Sequence, residues 1–244
     1  HMYKLIWPDS IDHDKIFIEM SEFFKVSINY IKELWEEYKI IHKKYGHSKL
    51  GERKTLNTEE TFVLFVMLKI YNPVNFIEIG TLLGRSTRRL LDIKNYTHMP
   101  FNIKCYDIVN EVKHFKPHEA ELIIHDLTNN VKKTLNTYSG PGMVYLDAHP
   151  YDLTVEVIKE LLVRKDWVLA VHDCGEILCN PNMKISKDRP QDITSLTGHW
   201  ERYCLAEVFG VSDPLNIGLN KQETDTHKMR IFSTLHGICS IVPK

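Results

Sequence analysis

Acidic and imidazole residues stand directly after short apolar segments in this 244-residue chain. Asp107 follows one such segment, Asp147 follows another with His149 two residues later, and His172 and Asp173 follow a third. Carboxylates and imidazoles act as acids, bases and metal ligands, and the ordinary pKa of histidine lies near neutrality. We therefore expect a catalytic group of His149, His172 and Asp173, with His149 as the first candidate for a general base. The alternative is that His149 is a surface residue or the cap of the helix that follows.

The same residues could instead bind a divalent metal. Asp147, His172 and Asp173 form the candidate ligand set for Mg²⁺ or Mn²⁺. Carboxylates suit both ions, whereas the imidazole makes Mg²⁺ less favourable than a transition metal. A bound cation would lower the pKa of an acceptor hydroxyl. In the alternative without a metal, Asp147 only positions a cofactor and Asp173 caps the loop after it.

A glycine turn supplies a candidate binding site for an anionic or nucleoside ligand. Gly80 follows the apolar segment that contains Glu78, and Gly84 precedes Ser86 at the start of a predicted helix. Gly80 permits a sharp turn, and Gly84 would let a ligand approach the helix N-terminus, where N–H groups favour a phosphate or carboxylate. The spacing differs from the GxGxxG pattern of dinucleotide-binding folds, which argues against a nicotinamide dehydrogenase. Asp107, at the end of the next strand, is placed to accept hydrogen bonds from ribose hydroxyls.

The segments that carry these residues predict an α/β fold with a wound, mostly parallel sheet. Five short apolar segments alternate with stretches compatible with helices, and such segments are typical of parallel strands buried on both faces. In these sheets a ligand lies beyond the carboxyl ends of the strands, where the polar residues cluster. Two further strands are predicted near the end of the chain. The seven predicted strands are residues 74–79, 101–106, 121–124, 143–146, 167–171, 229–233 and 238–242.

The N-terminal part is predicted to be helical. Apolar residues recur at helical spacing in residues 11–24 and 28–41, and Ser27 is placed to cap the second helix. A third helix, residues 59–70, follows Asn57 or Thr58 as its cap. We expect residues 1–56 to form a helical extension, which covers the sheet or forms a homodimer surface, and residues 57–244 to form the main domain.

Composition excludes several classes of protein. The chain has 31 Lys and Arg against 32 Asp and Glu, so it lacks the basic excess of a nucleic-acid binder. No apolar run approaches the roughly 20 residues of a membrane span, and the N-terminus does not resemble a secretion signal. Its five cysteines show no metal-binding or disulfide spacing. We expect a cytoplasmic protein with free thiols.

The turn and its flanking acids resemble those of the class I S-adenosylmethionine-dependent methyltransferases. The resemblance spans residues 57–242 and is most specific from Glu78 to Thr81 and from Gly84 to Thr87. Within that family the chain is most similar to the small-molecule branch of class-24 type and cephalosporin-hydroxylase-like proteins. The resemblance implies a Rossmann-like sandwich with a seven-stranded sheet in the order 3-2-1-4-5-7-6, in which only the seventh strand is antiparallel.

The resemblance also implies S-adenosylmethionine as the cofactor and assigns residues to it. The glycine turn and the start of the next helix would surround its methionyl part; these residues are Glu78, Gly80, Thr81, Gly84, Arg85 and Ser86. Asp107 would hold the ribose, Asp126 and Leu127 would lie beside the adenine, and Asp147 would lie on the sulfonium side. The stretch around Asp147 is one residue shorter before its histidine than in many relatives.

The function implied is methyl transfer to a small-molecule acceptor, at oxygen. Two alternatives remain: a non-methylating, hydroxylase-like enzyme on the same scaffold, and a catalytically inactive cofactor-binding subunit. Residues 175–200 lack clear periodicity, and we expect them to form a lid over the substrate. His199, Trp200 and Tyr203 would line the acceptor pocket, or Trp200 and Tyr203 would belong to an ordinary amphipathic helix.

Overall fold

The computed structural model describes residues 11–51, 56–178 and 200–244. Most of the predicted lid, including His199, lies outside these ranges, as does one of the five cysteines, Cys179. The four cysteines within the ranges are free and buried.

An eight-stranded sheet forms the centre of the molecule, in the order β3-β2-β1-β4-β5-β8-β7-β6. The seven predicted strands and their order are confirmed, and the structure adds a short edge strand, β6. That strand was missed because its three residues are polar and carry no apolar pattern. The strands are β1 Asn75–Ile79, β2 Asn102–Asp107, β3 Glu121–Ile124, β4 Gly142–Leu146, β5 Trp167–Val171, β6 Lys221–Glu223, β7 His227–Ile231 and β8 Cys239–Pro243.

Strand direction also follows the prediction, except at the new edge. The first five strands are mutually parallel, and β8 pairs antiparallel with β5. Strand β7 is antiparallel to β8, and β6 is antiparallel to β7. Two strands, β6 and β8, therefore run against the other six, where the prediction had one.

The described residues include seven α-helices that flank the sheet, and the ends of these helices follow local sequence signals. Ser27 caps α2 by accepting a hydrogen bond from the N–H of Tyr30 at 3.1 Å. Asn57 caps α3 in a reciprocal capping box with Glu60. The helices are α1 His13–Phe24, α2 Ile28–Tyr45, α3 Thr58–Tyr71, α4 Arg85–Thr97, α5 Val131–Leu135, α6 Tyr151–Leu161 and α7 Glu201–Phe209.

Two hydrophobic clusters cover the two faces of the sheet. In β1, Phe76 points into the cluster that contains α1, α2 and α3, whereas Ile77 points into the cluster that contains α6 and α7. The N-terminal helices therefore pack on one face of the sheet, as a cover. The domain boundary at residue 56 and a homodimer through these helices remain predictions. Among the described residues, no helix combines the length and hydropathy that crossing a bilayer requires.

Backbone hydrogen bonds continue beyond the strand ends and align the loops that carry the polar residues. The N–H of Gly80 donates to the carbonyl of Tyr106 at 2.9 Å. The N–H of Asp147 donates to Ile79 at 2.9 Å, and that of His172 donates to Leu146 at 3.0 Å. The residues that follow β1, β4 and β5 are thus held side by side at one edge of the sheet.

Candidate active site

The turn after β1 passes very close to the loop after β4. Gly80 has a φ of +88°, and a Cβ atom there would lie 2.6 Å from the carbonyl oxygen of Asp147. Such a separation is far below van der Waals contact, and the left-handed backbone adds to the strain of any other residue. Only glycine fits this turn without displacing the neighbouring loop.

Asp107 holds the same turn from the end of β2. Its Oδ2 accepts hydrogen bonds from the N–H groups of Thr81 at 2.8 Å and Leu82 at 2.7 Å. Its Oδ1 accepts from the N–H of Ile108 at 2.7 Å. The predicted ribose-binding carboxylate is therefore rigidly placed beside the glycine turn, and it already accepts hydrogen bonds from two N–H groups of that turn.

Glu78 is fully buried beneath the turn. Its Oε1 accepts a hydrogen bond from the hydroxyl of Thr87 at 2.6 Å, whereas Oε2 has no partner at hydrogen-bonding geometry among the described residues. Burial raises the pKa of Glu78 to about 8, although the Thr87 hydroxyl opposes this shift. A buried carboxylate oxygen without a partner is costly, which is a reason to expect that a ligand supplies the missing donor.

The start of α4 is packed differently from the expectation. The sequence suggested that Gly84 admits a ligand, but a Cβ atom there would lie 2.7 Å from the ring of Phe115, so a protein side chain fills that space. Ser86 is buried in the first turn of α4, and Arg85 is half-buried with its guanidinium near Gly51.

The loop after β3 holds the residues predicted to lie beside adenine. Asp126 is exposed and accepts a hydrogen bond from the N–H of Thr128 at 2.9 Å, and this backbone contact holds its pKa below the ordinary value. The side chain of Leu127 packs in the core, so only its backbone is available to a ligand.

Exposed apolar side chains surround Asp107, and no pattern in the sequence predicts their exposure. Leu82, Ile108 and Val109 are 58%, 68% and 44% exposed. Apolar side chains of this size are usually buried, so a group of them beside a binding loop indicates a surface that a ligand covers.

Asp147, His149, His172 and Asp173 come together, as predicted from the strand ends. His172 Nδ1 donates to Asp147 Oδ1 at 3.2 Å and lies 3.3 Å from Asp173 Oδ2. His149 Nε2 lies 4.0 Å from the same oxygen of Asp173. Asp173 has a φ of +60°, which is uncommon for a residue other than glycine. Strain of this kind clusters at functional sites.

His149 is oriented by a residue that the sequence did not reveal. Its Nδ1 lies 2.5 Å from Oε1 of Glu201, a buried residue at the start of α7. Burial alone would lower the pKa of His149, but the hydrogen bond and charge of Glu201 outweigh it and raise the pKa to about 9. The imidazole therefore carries a proton at neutral pH, which disfavours the predicted role of a general base.

His172 is surrounded by carboxylates. Besides Asp147 and Asp173, its Nε2 donates to Oε1 of Glu60 at 3.0 Å. Burial opposes a charge on this ring, but Asp173, Asp147 and Glu60 together hold the pKa of His172 well above its ordinary value. Both ring nitrogens act as donors to carboxylates, which does not suit the predicted role of His172 as a metal ligand.

Glu60 and His236 extend this network into the core. His236 Nδ1 donates to Glu60 Oε1 at 2.8 Å. Neither residue is among the site residues predicted from the sequence: Glu60 stands in the capping box of α3 with Asn57, and His236 is an isolated histidine in the sequence. Gly237, whose missing Cβ would lie 2.3 Å from the N atom of Gly175, lets the loop before β8 cross the loop after β5 and brings His236 beside His172.

Trp200 and Tyr203 belong to the region of α7. Trp200 is 1% exposed and lies in the hydrophobic cluster of α6 and α7, and its ring centroid is 5.5 Å from that of the half-buried Tyr203. The packing of Trp200 agrees with the alternative of an ordinary amphipathic helix.

Two groups of side chains in the described part of the chain could hold a metal ion. The first is Asp147, His149 and Asp173, whose ligand atoms lie within 4.8 Å of one another. The second is Glu60, His172 and His236, all buried. The first group shares two residues with the predicted ligand set and has His149 where the prediction had His172.

No protein-family model matches the chain, and no curated protein matches it. Solved structures do match. They include an O-methyltransferase from Bacillus cereus in complex with SAH, with 14% identity over 94% of this chain and 97% of that chain at a TM-score of 0.50. The SAH-bound methyltransferase PaMTH1 from Podospora anserina has 13% identity over 97% and 99% at a TM-score of 0.46. CmcI with SAH has 15% identity over 57% and 73% at a TM-score of 0.41.

The match to the Bacillus cereus enzyme spans nearly the whole of both chains. At this level of identity it bears on the fold, and the sheet of this chain has the strand order that the resemblance implied, with β6 added at its edge. The chain therefore has the fold of the class I S-adenosylmethionine-dependent methyltransferases, as the resemblance in its sequence implied.

Proposed function

We propose that the protein is an S-adenosylmethionine-dependent methyltransferase that acts on an oxygen of a small-molecule acceptor. The observation that carries this proposal is the turn at Gly80, which is flanked by the buried Glu78 and by Asp107. A fold alone does not establish an activity, so the proposal depends on this site rather than on the structural match.

The residues around the turn fit the chemical groups of the cofactor. Oε2 of Glu78 lacks a donor, which the ammonium of the methionyl part would supply. The contact between Oδ1 of Asp107 and the N–H of Val109 is long, at 3.4 Å, so a ribose hydroxyl could replace that N–H as a donor to the carboxylate. The exposed Leu82 and Ile108 offer an apolar surface for a purine ring. When bound, S-adenosylmethionine supplies an electrophilic methyl group and a neutral thioether leaving group.

The acceptor would lie at the group formed by Asp147, His149, His172 and Asp173. Displacement at the methyl group requires alignment of the acceptor and a way to make its oxygen nucleophilic. The imidazolium of His172 holds Asp147 and Asp173 in place from one side. We assign His172 to this fixed-charge role and not to metal ligation.

The donor set of Asp147, His149 and Asp173 fits a divalent cation. Two carboxylates and one imidazole favour Mn²⁺ over Mg²⁺. The contact of Glu201 with Nδ1 of His149 is the arrangement that commonly orients a ligating histidine. A cation there would lower the pKa of the acceptor hydroxyl. This assignment gives His149 the role of a ligand through Nε2. Because the raised pKa of His149 keeps its ring protonated at neutral pH, a cation would have to displace the Nε2 proton into solvent, while Nδ1 keeps the proton that it donates to Glu201.

Calorimetry with S-adenosylhomocysteine tests the cofactor. We expect wild-type protein to bind it, and Asp107→Ala to weaken binding by at least about tenfold, the cost of roughly one charge-assisted hydrogen bond. Asp213→Ala is the matched control, since Asp213 also accepts a backbone hydrogen bond in a turn, from Leu215 at 2.9 Å. No heat at high micromolar ligand with the wild type would contradict the proposal.

Product mass then separates methyl transfer from its alternatives. Methylation adds one carbon and two hydrogens to an acceptor, whereas a hydroxylase-like reaction adds one oxygen. A panel of catechols, phenols and hydroxy acids incubated with S-adenosylmethionine and Mn²⁺ is the appropriate screen for an oxygen acceptor. Binding of the cofactor with no turnover of any acceptor, together with a tight hetero-complex, would favour an inactive binding subunit.

A further inference from the structure

The carboxylate of Glu60 is a hub of hydrogen bonds in the core. Its Oε1 accepts from His172 Nε2 at 3.0 Å and from His236 Nδ1 at 2.8 Å. Its Oε2 accepts from the hydroxyl of Thr234 at 2.9 Å and from the N–H of His236 at 2.8 Å. The N–H of Asn57 also donates to Oε1 at 3.3 Å. Glu60 is 0% exposed, so in the folded protein its carboxylate is hydrogen-bonded by protein donors in place of water.

This hub lies directly behind the proposed acceptor site. The ring of His172 contacts Glu60 through Nε2 and faces Asp147 and Asp173 through Nδ1, at 3.2 and 3.3 Å. A ring held at one nitrogen by a buried carboxylate cannot rotate without breaking that bond. The direction in which Nδ1 points is therefore set by Glu60, which lies 112 residues away along the chain.

We infer that Glu60 is a positioning residue that fixes the ring of His172 and thereby holds Asp147 and Asp173 in the arrangement that binds the cation. Glu60 contacts neither aspartate itself and acts through His172. The inference rests on the proposed function, because it takes Asp147 and Asp173 as ligands. If Glu60 has this role, the first turn of α3, which belongs to the helices that cover the sheet, contributes to the proposed acceptor site.

The contacts of Glu60 favour this role over that of a metal ligand. Both imidazoles donate to the same oxygen, and Oε2 is already bound to two donors. A metal ion at Glu60, His172 and His236 would have to displace the donated protons from a site formed by three buried residues. The hydrogen bonds of this hub already satisfy the carboxylate and both imidazoles without a metal ion.

Glu60→Gln tests the inference with little change in shape. Glutamine is also accepted at this position of a capping box, so α3 keeps its start. We expect Mn²⁺ affinity, measured by calorimetry on the full chain, to fall by about 10- to 100-fold, the usual cost of losing a group that orients metal ligands. Affinity for S-adenosylhomocysteine should stay within about twofold, since its proposed contacts lie beyond β1 and β2.

Two controls separate positioning from general damage. Thr234→Val removes one donor to Oε2 but leaves the charge of Glu60 and its contact with His172. It should lower the Tm and keep wild-type Mn²⁺ affinity. Glu59→Gln removes the same charge from the same helical turn, where Glu59 contacts His13 at 2.9 Å, and should change neither binding constant.

A spectroscopic signature tests the contact without any ligand. In protein labelled with ¹⁵N-histidine, the buried Nε2 proton of His172 should give a low-field signal, assigned by its loss in His172→Gln. That signal should disappear or move upfield in Glu60→Gln and persist in Thr234→Val.

The results that overturn the inference are distinct from those that overturn the proposed function. Wild-type Mn²⁺ affinity in Glu60→Gln, an equal loss of affinity in Thr234→Val, or no binding of Mn²⁺ by the wild type would refute the positioning role. Failure of the wild type to bind S-adenosylhomocysteine would refute the proposed function alone, because the histidine signal and the Mn²⁺ titration can still be measured.

Discussion

Oε1 of Glu201 lies 2.5 Å from Nδ1 of His149, and this contact joins the start of α7 to the loop after β4. It is the reason that the pKa of His149 rises to about 9 in spite of burial. We predict that Glu201→Gln lowers the pKa of His149, because burial then acts with less opposition. Histidine NMR titration of the protein without added metal measures this, and the fall should exceed one unit.

The same contact has a consequence for stability. A histidine with a raised pKa in the folded state stabilises the fold below its unfolded value near 6.5 and loses that contribution as the pH rises through 9. Wild-type protein should therefore lose roughly 3 kcal/mol of unfolding free energy from this group between these values, because one pKa unit corresponds to about 1.4 kcal/mol. Glu201→Gln should show less of that loss. Glu207→Gln, on the same helix, removes a contact with Tyr151 and should keep the wild-type pH dependence.

Gly80→Ala should abolish binding of S-adenosylhomocysteine and destabilise the fold. A Cβ atom at this position would lie 2.6 Å from the carbonyl of Asp147, so the turn or the loop after β4 has to move. Gly210→Ala is the matched control, because Gly210 has a φ of +68° and no atom within 4 Å of its missing Cβ. It should cost only about 1 kcal/mol for the left-handed backbone. Equal loss of stability in the two variants would show that the close approach is not important.

The sequence was sufficient for the sheet because its strands are apolar and end in polar residues. Parallel strands buried on both faces leave a strong pattern, and the strand ends correctly brought Asp147, His149, His172 and Asp173 together. The polar edge strand β6 leaves no such pattern. Strand β6 forms because it pairs with β7. This pairing depends on the tertiary structure and therefore cannot be recognised from the three residues themselves.

The partners of the two histidines could not be predicted for a related reason. Glu60, Glu201 and His236 come from three elements that are distant in the sequence, and each reaches the site only after the sheet and its covers have packed. Glu60 also stands at the third position of α3, where a glutamate commonly belongs to a capping box and indicates nothing about a functional site. At Gly84 the sequence predicted a ligand contact that the structure does not favour. The small size of glycine indicated room for a ligand, but the loop after β2 places the ring of Phe115 in that space.

Glu78 should make cofactor binding depend on pH. Its pKa of about 8 means that it is protonated at neutral pH, and an ammonium requires the carboxylate form. Binding of S-adenosylhomocysteine below pH 8 would then release a proton, and affinity should rise about tenfold per pH unit from 6 to 8 and level off above. Calorimetry in buffers of different ionisation enthalpy measures the proton directly. Glu78→Gln should bind more weakly at pH 8 and lose the dependence; a wild-type affinity that is flat from pH 6 to 8 would exclude this role.

Asp173 combines backbone strain with a charge, and two substitutions separate these features. Its φ is +60°, a conformation that asparagine tolerates better than alanine. Asp173→Asn should keep the turn and remove the charge that faces His149 and His172, so Mn²⁺ affinity should fall by at least about tenfold. Asp173→Ala should lose the same affinity and be less stable than Asp173→Asn by about 1 kcal/mol, since alanine pays for the left-handed backbone. Thermal unfolding and Mn²⁺ calorimetry on both variants measure the two effects. If Asp173→Asn binds Mn²⁺ as the wild type does, the carboxylate is not a ligand and Asp173 serves only to shape the loop after β5.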